Sequence, residues 1–212
     1  MLTPWGYPTI MKTTLAALLV SFAAGLFARP LLPATLLVCS TVLLLTLFFF
    51  RDPERSPPDE KRTVLAPADG RVLLVRQIED RFTGPESTLV SIFMSPFNVH
   101  VNRIPVDGTV ALLCYHPGTF MMAFDHRSLE NNEKMEIGIE SREITVRFSQ
   151  VSGFLARRIV CELKKGEQVS KGARFGMIRF GSRVDIVMPA HATVTIREGE
   201  HTKAGQTVIA RF

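Results

Sequence analysis

Two long uncharged runs at the amino terminus give way to short β-branched runs punctuated by glycine, and that change of period divides the chain. Thr13 to Ala28 carries no charge, Arg29 and Pro30 interrupt, and Leu31 to Phe50 adds twenty more uncharged residues. At 1.5 Å per residue the second run is long enough to cross a hydrocarbon core of about 30 Å, while the first is marginal. Pro30 and Pro33 favour a tight break, so residues 1–50 are expected to form a transmembrane helical hairpin with arms at about 13–28 and 31–50, the first short or re-entrant. A cleavable signal peptide over residues 1–28 is the competing view, but no small-x-small cleavage site is followed by a soluble stretch.

Arg51-Asp52-Pro53-Glu54-Arg55-Ser56-Pro57-Pro58 is charged and broken by proline, so residues 51–62 read as a linker. From Thr63 the texture is that of strands. Val72–Val75, Thr88–Met94, Gly108–Leu113, Glu136–Ile139, Glu143–Phe148, Leu155–Val160, Met177–Arg179, Arg183–Val187, Thr193–Arg197 and Thr207–Ala210 are all candidates. The stretch with room for a helix is about Thr119 to Lys134. Residues 63–212 are therefore expected to be one β-rich domain, and the fold class is mainly β.

Internal repeats sharpen this. Pro67-Ala-Asp-Gly-Arg-Val recurs as Pro105-Val-Asp-Gly-Thr-Val and, more weakly, as Pro189-Ala-His-Ala-Thr-Val. Gly166-Glu-Gln-Val-Ser-Lys-Gly172 recurs 33 residues later as Gly199-Glu-His-Thr-Lys-Ala-Gly205. Strand, glycine-bounded loop and strand, used twice, resembles the barrel-sandwich of biotinyl and lipoyl carrier domains. Those domains present a lysine at a hairpin tip; the tip between these repeats carries Gly181-Ser182.

The length of 212 residues allows one well-buried domain plus an appendage, and the net charge of +5 points to an anionic partner, a nucleic acid or a membrane surface. Lys12 before the hairpin and Arg51, Arg55, Lys61 and Arg62 after it put both ends on the cytoplasmic side; Arg29 in the far turn counts mildly against this. The three cysteines, Cys39, Cys114 and Cys161, have no CxxC spacing, so neither a disulfide framework nor a metal site is expected.

The chemistry lies in a few polar residues. Ser182 follows a glycine between two strand-like runs, where its hydroxyl is free to attack the carbonyl before it; the plain alternative is a hairpin turn. Asp69 is either a site residue or a turn aspartate like its twin Asp107. In Ser95–Pro105, alternation puts Asn98, His100 and Asn102 on one strand face, which is costly to bury without partners and so tilts towards a site. His116 reads as a turn residue, and His126, His191 and His201 as surface. A serine hydrolase triad lacks its Gly-x-Ser-x-Gly elbow here.

Phe49-Phe50-Arg51-Asp52-Pro53-Glu54-Arg55, the Ala66–Gly70 turn, Ser95–Pro105, Asn131-Asn132-Glu133 and Phe180-Gly181-Ser182 together resemble the short bacterial and archaeal form of phosphatidylserine decarboxylase, a pyruvoyl enzyme. The likeness runs in order from about residue 30 to 212. Two departures stand out: longer relatives have Leu-Gly-Ser-Thr at the Phe180–Arg183 position, and a second histidine where this chain has Arg103. The resemblance implies self-cleavage between Gly181 and Ser182, leaving chains 1–181 and 182–212 as a heterodimer, with a pyruvoyl group at residue 182 as cofactor. Asp69 would orient His100, and His100 would take the Ser182 proton and later return a proton to the substrate. Asn132, Glu133 and His116 are offered as substrate-binding residues. The substrate would be phosphatidylserine in the cell membrane and the product phosphatidylethanolamine, with no nucleic acid partner and assembly beyond the heterodimer left open. Phe120, Met121, Met122 and Phe124 are either core or dip among acyl chains. A membrane-tethered carrier would leave the chain uncut, and a pyruvoyl decarboxylase of a soluble amino acid would leave the hairpin without a purpose.

Overall fold

The computed structural model describes residues 1–119, 132–153, 158–179 and 182–212, with Ser182 described through its backbone. The helix anticipated over Thr119 to Lys134 falls largely outside the described residues, as do Phe120, Met121, Met122, Phe124, His126, Asn131 and Gly181. The chain divides into two units, Met1–Glu54 and Arg55–Phe212.

The first unit is a pair of helices, α1 (Tyr7–Phe27) and α2 (Leu32–Phe49). Both open on a proline in the first turn, Pro8 and Pro33, where the missing N–H is no loss because the first helical donors have no intrahelical partner. This lets α1 begin well before the uncharged run does. The spans Pro4–Phe27 and Arg29–Phe49 have mean hydropathies of 1.8 and 2.3 and are long and apolar enough to cross a membrane. Their outer ends are tied together: Thr3 N–H donates to the Phe50 carbonyl at 2.9 Å and Asp52 N–H to that of Met1 at 2.8 Å. Gly6 lies against the Phe50 ring, where an added Cβ would come within 2.5 Å.

The second unit is mainly β. Its strands are β1 (Thr63–Leu65), β2 (Gly70–Asp80), β3 (Gly84–Met94), β4 (Val101–Arg103), β5 (Gly108–His116), β6 (Lys134–Glu140), β7 (Thr145–Val151), β8 (Ile159–Cys161), β9 (Gln168–Val169), β10 (Arg174–Ile178), β11 (Ser182–Met188), β12 (Thr193–Val194), β13 (His201–Thr202) and β14 (Val208–Arg211). A curled eight-stranded sheet runs β13-β2-β3-β11-β7-β6-β5-β9, and two three-stranded sheets run β1-β14-β12 and β4-β10-β8. Strand β11 is central, antiparallel to β3 on one side and β7 on the other. Its residues Arg183 to Met188 are buried on both faces, which explains an apolar run interrupted only by Arg183 and Asp185. Val184, Ile186 and Met188 join Val90, Ile92, Met94, Ile137, Ile139, Val146, Phe148 and Phe175 in the core.

The repeats fold into quasi-twofold halves that clasp each other. Leu65 N–H donates to the Pro105 carbonyl and, reciprocally, Arg103 N–H to that of Pro67, each at 2.9 Å. Each Pro-x-Asp-Gly turn also takes one glycine loop as its partner: Gly205 N–H bonds the Ala66 carbonyl at 2.9 Å, and Gly172 N–H that of Ile104 at 2.8 Å. The glycine closing each turn is required by close approach, since a Cβ at Gly70 would lie 2.1 Å from the Phe93 carbonyl and one at Gly108 2.5 Å from that of Glu140. Strands β1, β9 and β13 are too short to announce themselves in the hydropathy pattern and exist through this clasp.

Candidate functional site

Strand β11 begins at Ser182, in register with Met94, the last residue of β3. On its other side Arg183 pairs with Val151, the end of β7; Val151 pairs with Lys134, the start of β6; and Lys134 pairs with His116, the end of β5. One edge of the sheet therefore gathers Met94, Ser182, Ser152, Asn132, Glu133 and His116, which come from five separate stretches of sequence. Asn132 is buried and donates from Nδ2 to the Ser152 carbonyl at 2.8 Å, and Ser152 N–H donates to the Glu133 carbonyl at 2.9 Å. Glu133 Oε1 accepts the Tyr115 hydroxyl at 2.7 Å, which raises the Tyr115 pKa because the neutral phenol is the donor.

His100 follows the end of β3 at Met94 by way of the turn at Ser95–Asn98. Asn98 Oδ1 accepts both the N–H and the hydroxyl of Ser95 at 2.8 Å, and Asn98 N–H returns a bond to the Ser95 carbonyl at 3.0 Å. Asn98 is thus a turn residue rather than a member of the strand face expected from alternation, because β4 starts only at Val101. His100 is fully buried, with Nδ1 2.9 Å from the Asn98 carbonyl oxygen. A carbonyl only accepts, so Nδ1 carries the proton, and in the neutral ring Nε2 is the basic nitrogen.

Asp69 sits in the first Pro-x-Asp-Gly turn. Its Oδ1 accepts Ala204 N–H at 2.8 Å, the counterpart of the 2.8 Å bond from Lys171 N–H to Asp107. What sets Asp69 apart is Arg55, whose guanidinium forks onto both carboxylate oxygens, Nη2 to Oδ2 at 2.8 Å, and reaches the Ala204 carbonyl at 3.0 Å. Asp69 makes no bond to His100. The two segments meet through the backbone bond from Arg103 to Pro67. Arg103 is buried and donates to the Gly172 carbonyl at 3.0 Å.

Below this edge lies a buried amide pair. Gln150 Nε2 donates to Asn102 Oδ1 at 2.9 Å and to the Val160 carbonyl at 3.2 Å, and Asn102 Nδ2 rests 3.7 Å from the Met94 sulfur. On the opposite face, His116 Nε2 lies 2.7 Å from Glu136, and Arg147 bridges Glu136 at 3.0 Å and Asp80 at 2.7 Å. His116 is the final residue of β5, not a turn. Burial pushes the Asp80 carboxyl up, but the Arg147 bond and the N–H groups of Thr83 and Phe82 outweigh it, so the group is held below its usual range. Glu136 is likewise held down against burial by Lys134, Arg147 and His116.

Arg55 and Gln150 escaped the reading of the sequence. Nothing in a proline-broken charged segment marks one arginine as buried. Gln150 could have been found, because the apolar alternation Ile144, Val146, Phe148 continues straight onto it. An open cleft of about 880 Å³ lined by Glu60, Lys171, Ser141 and Phe212 lies at the far end of β6 and β7, and its Lys171 ammonium is already taken by the Glu60 carbonyl at 2.7 Å. Among the described residues no cluster of His, Cys, Asp and Glu could hold a metal ion.

Residues 42–210 match the phosphatidylserine decarboxylase family. Proteins named phosphatidylserine decarboxylase proenzyme are similar along the chain: one from Chlorobium limicola is 73% identical over 212 residues, covering all of both chains. One from Pelodictyon phaeoclathratiforme is 58% identical over 212 residues, again covering all of both. A third, from Chlorobium phaeobacteroides, is 54% identical over 210 residues and 99% of each chain.

Proposed function

Because the chain belongs to the phosphatidylserine decarboxylase family, we propose that it converts phosphatidylserine to phosphatidylethanolamine, and that it readies itself by cutting its own backbone between Gly181 and Ser182. The observation that carries this reading is the place of residue 182: it heads a central strand, beside the end of β3 from which the Ser95–Asn98 turn leads to a buried histidine. A pyruvoyl group at residue 182 would supply a ketone able to take up the substrate amine and accept the electrons released with carbon dioxide. The surroundings fit such a group, since β11 is paired on both flanks from its first residues and a new terminus there would stay in register.

In the proposed cleavage the Ser182 hydroxyl adds to the Gly181 carbonyl carbon, the peptide C–N bond breaks, and an ester takes its place. His100 Nε2 receives the hydroxyl proton. Loss of the Ser182 α-proton then breaks the Cβ–O bond, the Gly181 carboxylate departs, and residue 182 takes up water and releases ammonia. In turnover His100 returns a proton to the substrate α-carbon. Its ring is oriented by the Asn98 carbonyl, and Asp69 supports it by anchoring, with Arg55 and Ala204, the turn to which the Arg103 backbone is bonded. Asn132, Glu133 and His116 are proposed to line the approach of the head group.

The two apolar helices are consistent with membrane association. A diacyl substrate never leaves the bilayer, so tethering keeps the enzyme with it, and the basic residues flanking the hairpin favour a cytoplasmic catalytic domain. Mass spectrometry of the denatured protein tests the cleavage. The expected result is two species matching residues 1–181 and 182–212; a single species near 23.6 kDa would refute it.

A further inference from the structure

Three buried polar atoms at the edge beside residue 182 have no hydrogen-bond partner among the described residues: Gln150 Oε1, Ser152 Oγ and Glu133 Oε2. Gln150 and Ser152 are fully buried. Gln150 lies on β7 and Ser152 is the first residue past its end, two positions on and so on the same side, and Glu133 sits across from Ser152, which donates its N–H to the Glu133 carbonyl at 2.9 Å. Gln150 faces Met135 on β6 and Val184 on β11, so the cluster stands directly against the strand that Ser182 begins.

The orientation of the Gln150 amide is set by its neighbours. The Val160 carbonyl can only accept, so the nitrogen must face it, and the same nitrogen serves Asn102 Oδ1. Oε1 is left as a bare acceptor. Glu133 Oε2 is also acceptor-only when ionised, and a hydroxyl accepts as readily as it donates. Leaving a buried acceptor unmet is unfavourable, so three of them at one edge of the sheet make a region short of N–H donors. A primary ammonium brings three donors and a charge opposite to that of Glu133.

We propose that Gln150, Ser152 and Glu133 form an ammonium-binding site that takes the amine of the phosphatidylserine head group and holds it next to residue 182. This rests on the reading of the chain as a phosphatidylserine decarboxylase and adds which end of the head group is gripped, and by what. Glu133 is placed to withdraw the proton that an ammonium must lose before its nitrogen can act as a nucleophile, while Gln150 is neutral and keeps its place through Asn102.

The experiment uses the full-length chain in detergent with Ser182→Ala, which cannot self-cleave, and measures by saturation-transfer NMR the binding of glycerophosphoserine, glycerophosphoethanolamine and glycerophosphocholine. The first two carry N–H donors and the third does not. Both N–H probes are expected to bind and glycerophosphocholine to bind at least about tenfold more weakly, as loss of hydrogen bonds to a charged group implies. Adding Gln150→Leu should weaken both N–H probes by about tenfold and leave glycerophosphocholine unchanged. Glu133→Gln, which keeps the shape and an acceptor for Tyr115, is the second variant should Gln150→Leu fail to fold, and is expected to act in the same direction. Equal binding of all three probes, absence of binding by the N–H probes, or indifference to both substitutions would overturn the proposal. Carbon dioxide release from phosphatidylserine by the unmutated protein is read separately, so the ammonium site can fail while the assigned reaction stands.

Discussion

Arg55 holds Asp69 in a two-pronged ion pair whose side chains are 8% and 11% exposed, and this pair separates Asp69 from its twin Asp107. Both aspartates receive a backbone N–H from a glycine loop, from Ala204 and from Lys171, so that bond belongs to the repeat architecture. The guanidinium belongs to the site half alone. Removing one partner of a buried pair strands the other charge and costs about 3–5 kcal/mol, whereas loss of one turn bond costs about 1 kcal/mol. Arg55→Leu is therefore expected to lower unfolding stability in urea by about 3 kcal/mol and Asp107→Asn by about 1 kcal/mol. Equal losses would mean that the pair adds nothing to the turn.

Four of the strands lie in residues 182–212, and three of them pair outside that segment: β11 with β3 and β7, β13 with β2, and β14 with β1. A cut before Ser182 thus leaves the short piece woven into the sheet, because release would bare backbone groups on both sides of β11. Native size-exclusion of the cleaved protein should give one co-eluting peak that separates only in denaturant. Ser182→Ala should stay a single chain, release no carbon dioxide and melt within a few degrees of the unmutated protein, since one hydroxyl is lost. Release of carbon dioxide by that variant would remove Ser182 from its role.

The helical hairpin, the mainly β class and most strands were legible because they rest on periodicity. Val90, Ile92 and Met94, or Val184, Ile186 and Met188, declare a core face by themselves. The repeats were also legible, but their meaning was not: pairing of each Pro-x-Asp-Gly turn with one glycine loop is a long-range arrangement that no local window contains. The same limit hid the site's supports. Asn98 looked like a strand residue because alternation continued across Ser95–Asn102, and a tight turn won, in which Asn98 Oδ1 reaches back to the Ser95 N–H and hydroxyl. Arg55 meets Asp69 only after the chain has folded back, and the Asn98 carbonyl that fixes the His100 ring is a backbone group, silent in any sequence.

The outer face of the sheet should confer acid sensitivity. Asp80 and Glu136 have ordinary values of 3.8 and 4.5, and Arg147 holds both below them in the folded state. A carboxyl with a depressed folded pKa adds stability that is complete above its unfolded value and is lost as pH falls through the folded one. The urea midpoint is therefore expected to be level from pH about 7 to 5 and to fall below about 4.5. Arg147→Met should make that fall shallower without abolishing it, because the cation is shared by both carboxyls while Lys134 still faces Glu136 and the N–H groups of Thr83 and Phe82 still bond Asp80. An unchanged acid limb would place the pH dependence elsewhere.

His100 is assigned two jobs that differ in how often they are done, and that difference can be measured. Its Nδ1–H is committed to the Asn98 carbonyl, so Nε2 is the nitrogen available for proton transfer in both. Cleavage happens once per molecule, so a variant slowed by the roughly 10²–10⁴-fold typical of losing a general acid or base can still mature over hours. Turnover repeats, and there the same loss is permanent. His100→Ala is expected to accumulate cleaved chains slowly, as followed by denaturing electrophoresis over time, and its cleaved fraction should release carbon dioxide at least about a hundredfold more slowly than the unmutated protein when normalised to cleaved sites. Asn98→Ala makes the comparison specific: it removes the side-chain bonds to Ser95 but keeps the carbonyl that holds the ring, so it should loosen the turn and slow both steps by less than His100→Ala does. Full turnover by cleaved His100→Ala would move the proton return to another group at the same edge, with His116 the first to examine.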